Sequence, residues 1–262
     1  MAHNLFKVFA VAMLLPGAFI GCEQNDDLEG IDSKKVAVQF RADNGTTTRN
    51  AVQGETRLVF DEIVNVMNFK INVAEIEFDF DDDFDDDHTL VTTFGETYSS
   101  DDDVEMKGPF EVDLILNGEL QTETLLSGLA LPNVAFEEIE FEMKKSKIEN
   151  SVLYNQTILI DGEINGVPFI FSSDKEFDFE IEFDKPFVPG EDLGVAVDFH
   201  INQLFTRSLS GIDFTTAVPD NDGVIRISYK EHNEQSPNYQ LGKKIWERLD
   251  DMIDCDFDDD DD

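Results

Sequence analysis

The chain has 262 residues and a formal net charge of -39, which comes from 58 acidic and 19 basic residues. This charge argues against nucleic-acid binding, which needs a basic surface, and against direct docking on anionic lipid. Hydrophobic residues make up 41% of the chain and 23 residues are Phe. The chain can therefore bury a core, unlike a disordered acidic chain, which is poor in aromatic residues.

Residues 1–21 predict an export signal. Lys7 precedes an apolar run over residues 8–20 that is shorter than the about 20 residues a membrane-spanning helix needs. The run ends at Gly21-Cys22, which resembles the lipobox of bacterial lipoproteins, although Phe19 stands where Leu is usual. We therefore expect lipid on Cys22 and, through it, a membrane as partner. An ordinary signal peptide followed by a core cysteine is the alternative.

Residues 22–33 are polar and acidic, which predicts a flexible tether. An acidic stretch after the lipidated cysteine resembles the signal that sends Bacteroidota lipoproteins to the outer face of the outer membrane. The alternative is a solvated linker that leaves the protein facing the periplasm. If Cys22 carries lipid, Cys255 has no disulfide partner in the chain, and the carboxylates beside it disfavour its reactive thiolate.

Alternation of apolar and polar residues dominates residues 34–235 and predicts strands with one face in a core. The clearest segment, residues 176–183, alternates acidic and apolar side chains without interruption. Residues 110–116, 139–143 and 193–201 follow the same pattern. The expected fold is all-β, a β-sandwich of about eight mostly antiparallel strands.

One strand segment changes phase. Its apolar residues occupy odd positions up to Val73 and even positions from Ile76. Because a one-residue slip turns side chains to the other face, we expect a β-bulge near Ala74-Glu75, with a turn as the alternative.

Four Asn-Gly or Asp-Gly pairs supply residues that tolerate the positive φ of tight turns. They are Asn117-Gly118, Asp161-Gly162, Asn165-Gly166 and Asp222-Gly223. The pair Asn165-Gly166 lies between two apolar runs and predicts a hairpin, with Pro168 at an edge or a strand start.

Several strand segments together resemble a domain family of Bacteroidota lipoproteins that has no established activity. The segments are Ile63-Val64-Asn65-Val66, Val73-Ala74-Glu75-Ile76, residues 110–118, Leu129-Ala130-Leu131-Pro132 and Val195-Ala196-Val197-Asp198-Phe199. The resemblance covers roughly residues 34–205, and residues 133–136 depart from the Gly-Thr-Tyr-like turn that the family has after Pro. The resemblance implies a β-sandwich and an envelope address, and it implies no catalytic residue.

The C-terminal stretch changes to a three- and four-residue apolar period. This period predicts an amphipathic helix over residues 236–253, capped by Ser236 or Asn238, with Trp246 as a packing residue. Residues 254–262 are then expected to form an exposed, disordered poly-Asp tail.

Clustered carboxylates make Ca²⁺ the expected cation, since it takes six to eight oxygen ligands. The candidate ligands in one acidic run are Asp81, Asp82, Asp83, Asp85, Asp86 and Asp87. A second pair, Asp220 and Asp222, resembles half of an EF-hand loop. The alternatives are a solvated acidic loop for the first set and a plain β-turn for the second.

The outward faces of two acidic strands suggest a third cation site. If the acidic residues of segment 176–182 pair beside Glu138, Glu140 and Glu142, like charges face each other and destabilise the sheet. Divalent cations or nearby lysines, namely Lys144, Lys145 and Lys147, could relieve the repulsion. We therefore expect stability to rise with Ca²⁺ or with ionic strength.

No zinc-protease motif, nucleophile elbow or phosphate-binding glycine loop occurs in the sequence. The sequence thus favours a non-catalytic, lipid-anchored envelope protein at the cell surface or facing the periplasm, with an adhesion or binding role assisted by Ca²⁺. Its expected partners are divalent cations and an envelope protein or glycan, and no nucleic acid. One alternative is a carbohydrate- or metal-capture accessory of an outer-membrane uptake system, and another is a carboxylate-based hydrolase.

Overall fold

The structure is a computed structural model that describes residues 33–44, 58–80, 90–91, 97–98, 103–132, 135–187, 193–230 and 233–258. Within these residues the chain is all-β and sandwich-like, with three short α-helices. Ten of its twelve strand pairings are antiparallel. The two parallel pairings join Ser33–Asp43 with Leu193–His200 and Val167–Ser173 with Ile225–Tyr229.

The strands fall into a four-stranded sheet, a nine-stranded sheet and a separate two-stranded pair. The strands are β1 (Ser33–Asp43), β2 (Leu58–Phe60), β3 (Val64–Phe80), β4 (Leu90–Val91), β5 (Thr97–Tyr98), β6 (Asp103–Leu116), β7 (Glu119–Leu120), β8 (Thr122–Pro132), β9 (Phe136–Met143), β10 (Ile158–Ile164), β11 (Val167–Ser173), β12 (Phe177–Phe187), β13 (Leu193–His200), β14 (Ile225–Tyr229) and β15 (Ile253–Asp258). Nine of these strands have seven residues or more, which agrees with the expected number of about eight.

The order of the four-stranded sheet is β15-β13-β1-β8. The main path of the larger sheet is β12-β9-β3-β10-β11-β14. In addition, β2 and β6 pair with β3, and β7 pairs with β6. The α-helices are α1 (Ile201–Phe205), α2 (Arg207–Ser210) and α3 (Tyr239–Trp246). Among the described residues, no helix is both long and apolar enough to cross a membrane.

Phenylalanines join the two large sheets. Phe40 of β1 lies 5.5 Å from Phe141 of β9 and 5.1 Å from Phe199 of β13, measured between ring centroids. Phe141 in turn stacks on Phe179 of β12 at 4.7 Å. Because rings from both sheets pack together and are buried, one hydrophobic core lies between the sheets.

The expected β-bulge is confirmed, and it has an architectural role. The register of β3 shifts between Val73 and Glu75 against both β6 and β9. Before the shift β3 pairs with β10, and after it β3 pairs with β9 on that edge. The bulge therefore lies where one long strand exchanges neighbours while its apolar side chains stay in the core.

Of the four turn predictions three are confirmed and one is wrong. Gly223 of the pair Asp222-Gly223 has a φ of 81° and its N–H donates to the Asp220 carbonyl oxygen, which closes a turn. Asn117-Gly118 and Asn165-Gly166 adopt positive φ and close the β6–β7 and β10–β11 hairpins. Asp161-Gly162 instead lies inside β10, at a register shift against β3. A Cβ on Gly162 would meet the Asn65 carbonyl oxygen at 2.0 Å, so this glycine permits close backbone approach.

The C-terminal helix is shorter than expected. The helix ends at Trp246. Beyond it the chain makes two hydrogen bonds of 3₁₀ type, from the Leu249 N–H to the Trp246 carbonyl and from the Met252 N–H to the Leu249 carbonyl, and these keep apolar residues at three-residue intervals. Asn238 occupies the N-cap position, but its side chain bonds the backbone of Val218 and Arg226 instead of the helix. Trp246 is partly buried and packs against Phe177 and Tyr229, so its predicted role in packing is confirmed.

The prediction of a disordered tail from residue 254 is wrong for residues 254–258, which belong to β15 and pair with β13. The reason is an alternation that the Asp content obscured: Ile253, Cys255 and Phe257 are in register with apolar residues of β13. Asp254 also approaches the His200 ring at 3.7 Å. Residues 259–262 lie outside the described residues.

Candidate functional site

Carboxylates cover the outer face of four neighbouring strands of the large sheet. Four neighbouring strands, β12, β9, β3 and β6, each contribute three consecutive outward positions. In order across the sheet the three rows are Asp178-Glu142-Glu75-Lys107, Glu180-Glu140-Glu77-Glu105 and Glu182-Glu138-Asp79-Asp103. We call these twelve positions the acidic face; eleven of them are carboxylates.

The local sequence explains why these side chains share a face. On β9, buried Ile139, Phe141 and Met143 alternate with the three glutamates. Because successive side chains of a strand point to opposite faces, the glutamates lie on the outer face of the sheet. On β3 the bulge at Ala74 brings Glu75 into the same outward phase. The sequence analysis considered a pairing of these two acidic segments without predicting it, and the register shows that β12 does pair with β9.

Two lysines bind at one end of the acidic face. Lys107 lies 2.6 Å from Glu105 and 3.8 Å from Glu75, between its Nζ and a carboxylate oxygen of each. Lys144 forms an ion pair with Glu142. Lys145, which was also expected to relieve the repulsion, instead approaches Asp174 at 3.7 Å. The lysines therefore compensate the row that contains Glu75 and Glu142 and, through Glu105, one end of the middle row.

Partial burial and mutual repulsion disfavour the charged forms of these carboxyls. Partial burial, then a hydrogen bond to Asp103 and the charges of neighbouring acids, raise the pKa of Glu77 to about 8. Burial followed by the charges of adjacent acids also raises the pKa of Glu138 and of Glu140. The centre of the acidic face consequently retains protons at pH values where an isolated glutamate has lost its proton.

Four groups of three carboxylates on the acidic face could each hold a cation, with ligand oxygens within 4.8 Å of one another. They are Glu75-Glu77-Glu105, Glu77-Asp79-Asp103, Glu138-Glu140-Glu180 and Glu140-Glu142-Asp178. Every group contains Glu77 or Glu140, the two residues at the centre of the middle row. Oxygen-only sites of this kind match the preference of Ca²⁺ and Mg²⁺.

Of the acidic residues first suggested as cation ligands, only Asp220 and Asp222 belong to the described residues, and they are not part of the acidic face. Cys22 and the run from Asp81 to Asp87 lie outside the described residues. Asp220 and Asp222 flank a turn and bind the Arg226 guanidinium at 2.9 and 2.8 Å. A cation at this turn would have to displace an arginine, so the geometry favours the β-turn alternative over a metal loop.

Sequence reasoning missed the contribution of β3 and β6 to the acidic face. Glu75, Glu77 and Asp79 follow the bulge in alternation with Ile76 and Phe78, a signal that was present in the sequence. What the sequence did not indicate is that β3 lies between β9 and β6, because strand order depends on long-range pairing.

Comparison with known proteins gives no relative: no protein-family profile, curated protein or solved structure matches the chain. The resemblance to a lipoprotein domain family therefore stays a prediction.

Proposed function

We propose that this is a non-catalytic, lipid-anchored envelope protein whose acidic face binds divalent cations, with Ca²⁺ as the principal one. The observation that carries the cation assignment is the register of four strands, which places eleven carboxylates in three rows. Like charges directly opposite each other destabilise a sheet, so a fold with this face gains stability from any bound cation.

The envelope address rests on different features. The export signal, the lipobox at Cys22 and the acidic tether support anchoring through lipid in the outer membrane, either at the cell surface or facing the periplasm. The net charge of -39 favours cations and basic surfaces as partners. In this proposal the cation-loaded face serves adhesion or binding to an envelope protein or glycan.

Thermal unfolding of the purified protein during Ca²⁺ titration tests the cation assignment. A site with Ca²⁺ at 100 times its Kd stabilises the fold by about 2.7 kcal/mol, which a melting curve resolves. We expect a saturable rise in Tm with Ca²⁺ that exceeds the rise in NaCl of matched ionic strength. An identical response to Ca²⁺ and matched NaCl would reduce the acidic face to a repulsive, solvated surface.

A further inference from the structure

His200 is the last residue of β13, and its imidazole ring lies between carboxylates of the two neighbouring strands. Its Nδ1 atom is 2.8 Å from an oxygen of Asp43 on β1, and its Nε2 atom is 3.7 Å from an oxygen of Asp254 on β15. Asp43 is also the register partner of His200 in the parallel β1–β13 pair. The ring therefore connects three strands of the four-stranded sheet.

The protonation state of the ring decides whether it can bind both carboxylates. The imidazolium ion carries an N–H on each nitrogen, so each carboxylate faces a donor and the positive charge attracts both. Neutral imidazole has a single N–H, and in either tautomer the other nitrogen turns a lone pair toward a carboxylate. Only the protonated ring therefore favours both neighbours at once.

The strand most sensitive to this difference is β15. It lies at the edge of the four-stranded sheet and, among the described strands, pairs with β13 alone. Asp254 is directly opposite Asp198 of β13, and like charges in this position destabilise a strand pair. Asp198 binds the Arg41 guanidinium through two hydrogen bonds of 2.7 and 2.8 Å. A positive charge on His200 offsets the repulsion that remains at Asp254.

The charged groups around the ring come from the strands packed against it, while α1, which follows His200 directly, has no charged residue. They are Arg41 and Asp43 of β1, Asp198 of β13 and Asp254 of β15. The 3₁₀ segment Asp250–Met252, which also contacts β13, adds Asp251, and this carboxylate pairs with Arg248. Carboxylates therefore outnumber cations around the ring.

These carboxylates favour the protonated form. Partial burial lowers the pKa of His200, but the hydrogen bond to Asp43 and the charges of Asp43, Asp254 and Asp198 outweigh the burial and raise the pKa above its ordinary value of 6.5. Because the pKa is higher in the folded protein than in the unfolded chain, the stabilisation by His200 is fully present below pH 6.5. It is lost as the pH rises through the folded-state pKa.

We infer that His200 is a pH-sensitive switch that controls how firmly β15 is held on β13. In its protonated form the ring binds Asp43 and Asp254 and joins β15 to the sheet. Loss of the proton lets β15 detach more often and expose the edge of β13. This inference is independent of the acidic face, since the two share no residue.

Hydrogen exchange of the purified protein at pH 6 and pH 9, followed by mass spectrometry, tests the inference. Exchange in β15 is corrected for the intrinsic effect of pH and divided by exchange in β10, which lies inside the large sheet. We expect this ratio to be about two- to fivefold higher at pH 9, the range for an ion pair with an exposed partner. The Asp254 side chain, 73% exposed, sets this modest size.

Three variants separate the switch from a general effect of pH. His200→Gln cannot titrate, so its ratio at pH 6 should be about two- to fivefold above that of the wild type and should not change with pH. Asp254→Asn alters an exposed side chain and should also make the ratio nearly independent of pH. Asp251→Asn removes the same charge at an exposed position that pairs with Arg248, and should keep the wild-type pH dependence.

Equal ratios at pH 6 and pH 9 in the wild type would overturn the inference. A wild-type pH dependence in His200→Gln or in Asp254→Asn, or its loss in Asp251→Asn, would overturn it as well.

Discussion

Neutralising one glutamate at the centre of the acidic face should stabilise the cation-free protein. Glu140 of β9 lies directly between Glu77 of β3 and Glu180 of β12. Cross-strand pairs contribute roughly 0.2–1 kcal/mol each, and like charges contribute with an unfavourable sign. At a pH above the pKa of Glu77, which is about 8, both neighbours are charged and Glu140→Gln removes two such contacts. It should then raise the free energy of unfolding by about 0.5–2 kcal/mol at low ionic strength in the presence of EDTA.

The same substitution should weaken the response to Ca²⁺. Glu140 belongs to two of the four carboxylate groups and Glu77 to the other two, so the double variant Glu77→Gln/Glu140→Gln removes a ligand from every group. We expect it to be the more stable protein without Ca²⁺ and the less responsive one with it.

Urea unfolding of these variants, with and without Ca²⁺, measures both effects. Glu119→Gln is the matched control, since Glu119 is exposed in the β6–β7 hairpin and lies outside the acidic face. If Glu140→Gln lowers stability in EDTA, or leaves the Ca²⁺ response equal to that of Glu119→Gln, the reasoning from strand register is refuted.

Three further predictions concern other features. Because the pKa of Glu77 is raised to about 8 from an ordinary 4.5, the native state binds more protons than the unfolded state between these values, so stability should fall as pH rises from about 5 to 8. Glu77→Gln should flatten this decline in urea unfolding measured across that range, and an unchanged slope would contradict the role given to Glu77. Gly162→Ala should lower stability by about 1–3 kcal/mol, because the added Cβ meets the Asn65 carbonyl, and urea unfolding at wild-type stability would contradict this close approach. Cys22→Ala should abolish metabolic labelling with palmitate and release the protein from membranes on fractionation, whereas continued labelling would locate the lipid elsewhere.

Local patterns in the sequence predicted most of the strands because each strand has one buried face. The alternation in residues 176–183 and the phase change at Ala74 were sufficient to place β12 and the bulge. The tail was different, since its Asp content dominated the interpretation and its alternation was overlooked. The end of α3 could not be predicted from the sequence pattern, because apolar residues three positions apart fit both a 3₁₀ segment and an α-helix.

The candidate site was only partly predictable. Like-charged strands beside each other were anticipated for β9 and β12, but the row continues onto β3 and β6 through pairings between residues far apart in the chain.

Equilibrium dialysis of Ca²⁺ against the purified protein tests the central claim most directly. The wild type and the double variant Glu77→Gln/Glu140→Gln are compared with Glu119→Gln/Glu149→Gln, which removes the same charge at two exposed positions outside the acidic face. We predict saturable binding by the wild type and the control variant, and loss of most bound Ca²⁺ in the Glu77/Glu140 variant. Equal binding by all three proteins would contradict the claim and would assign the cations to other carboxylates of the chain.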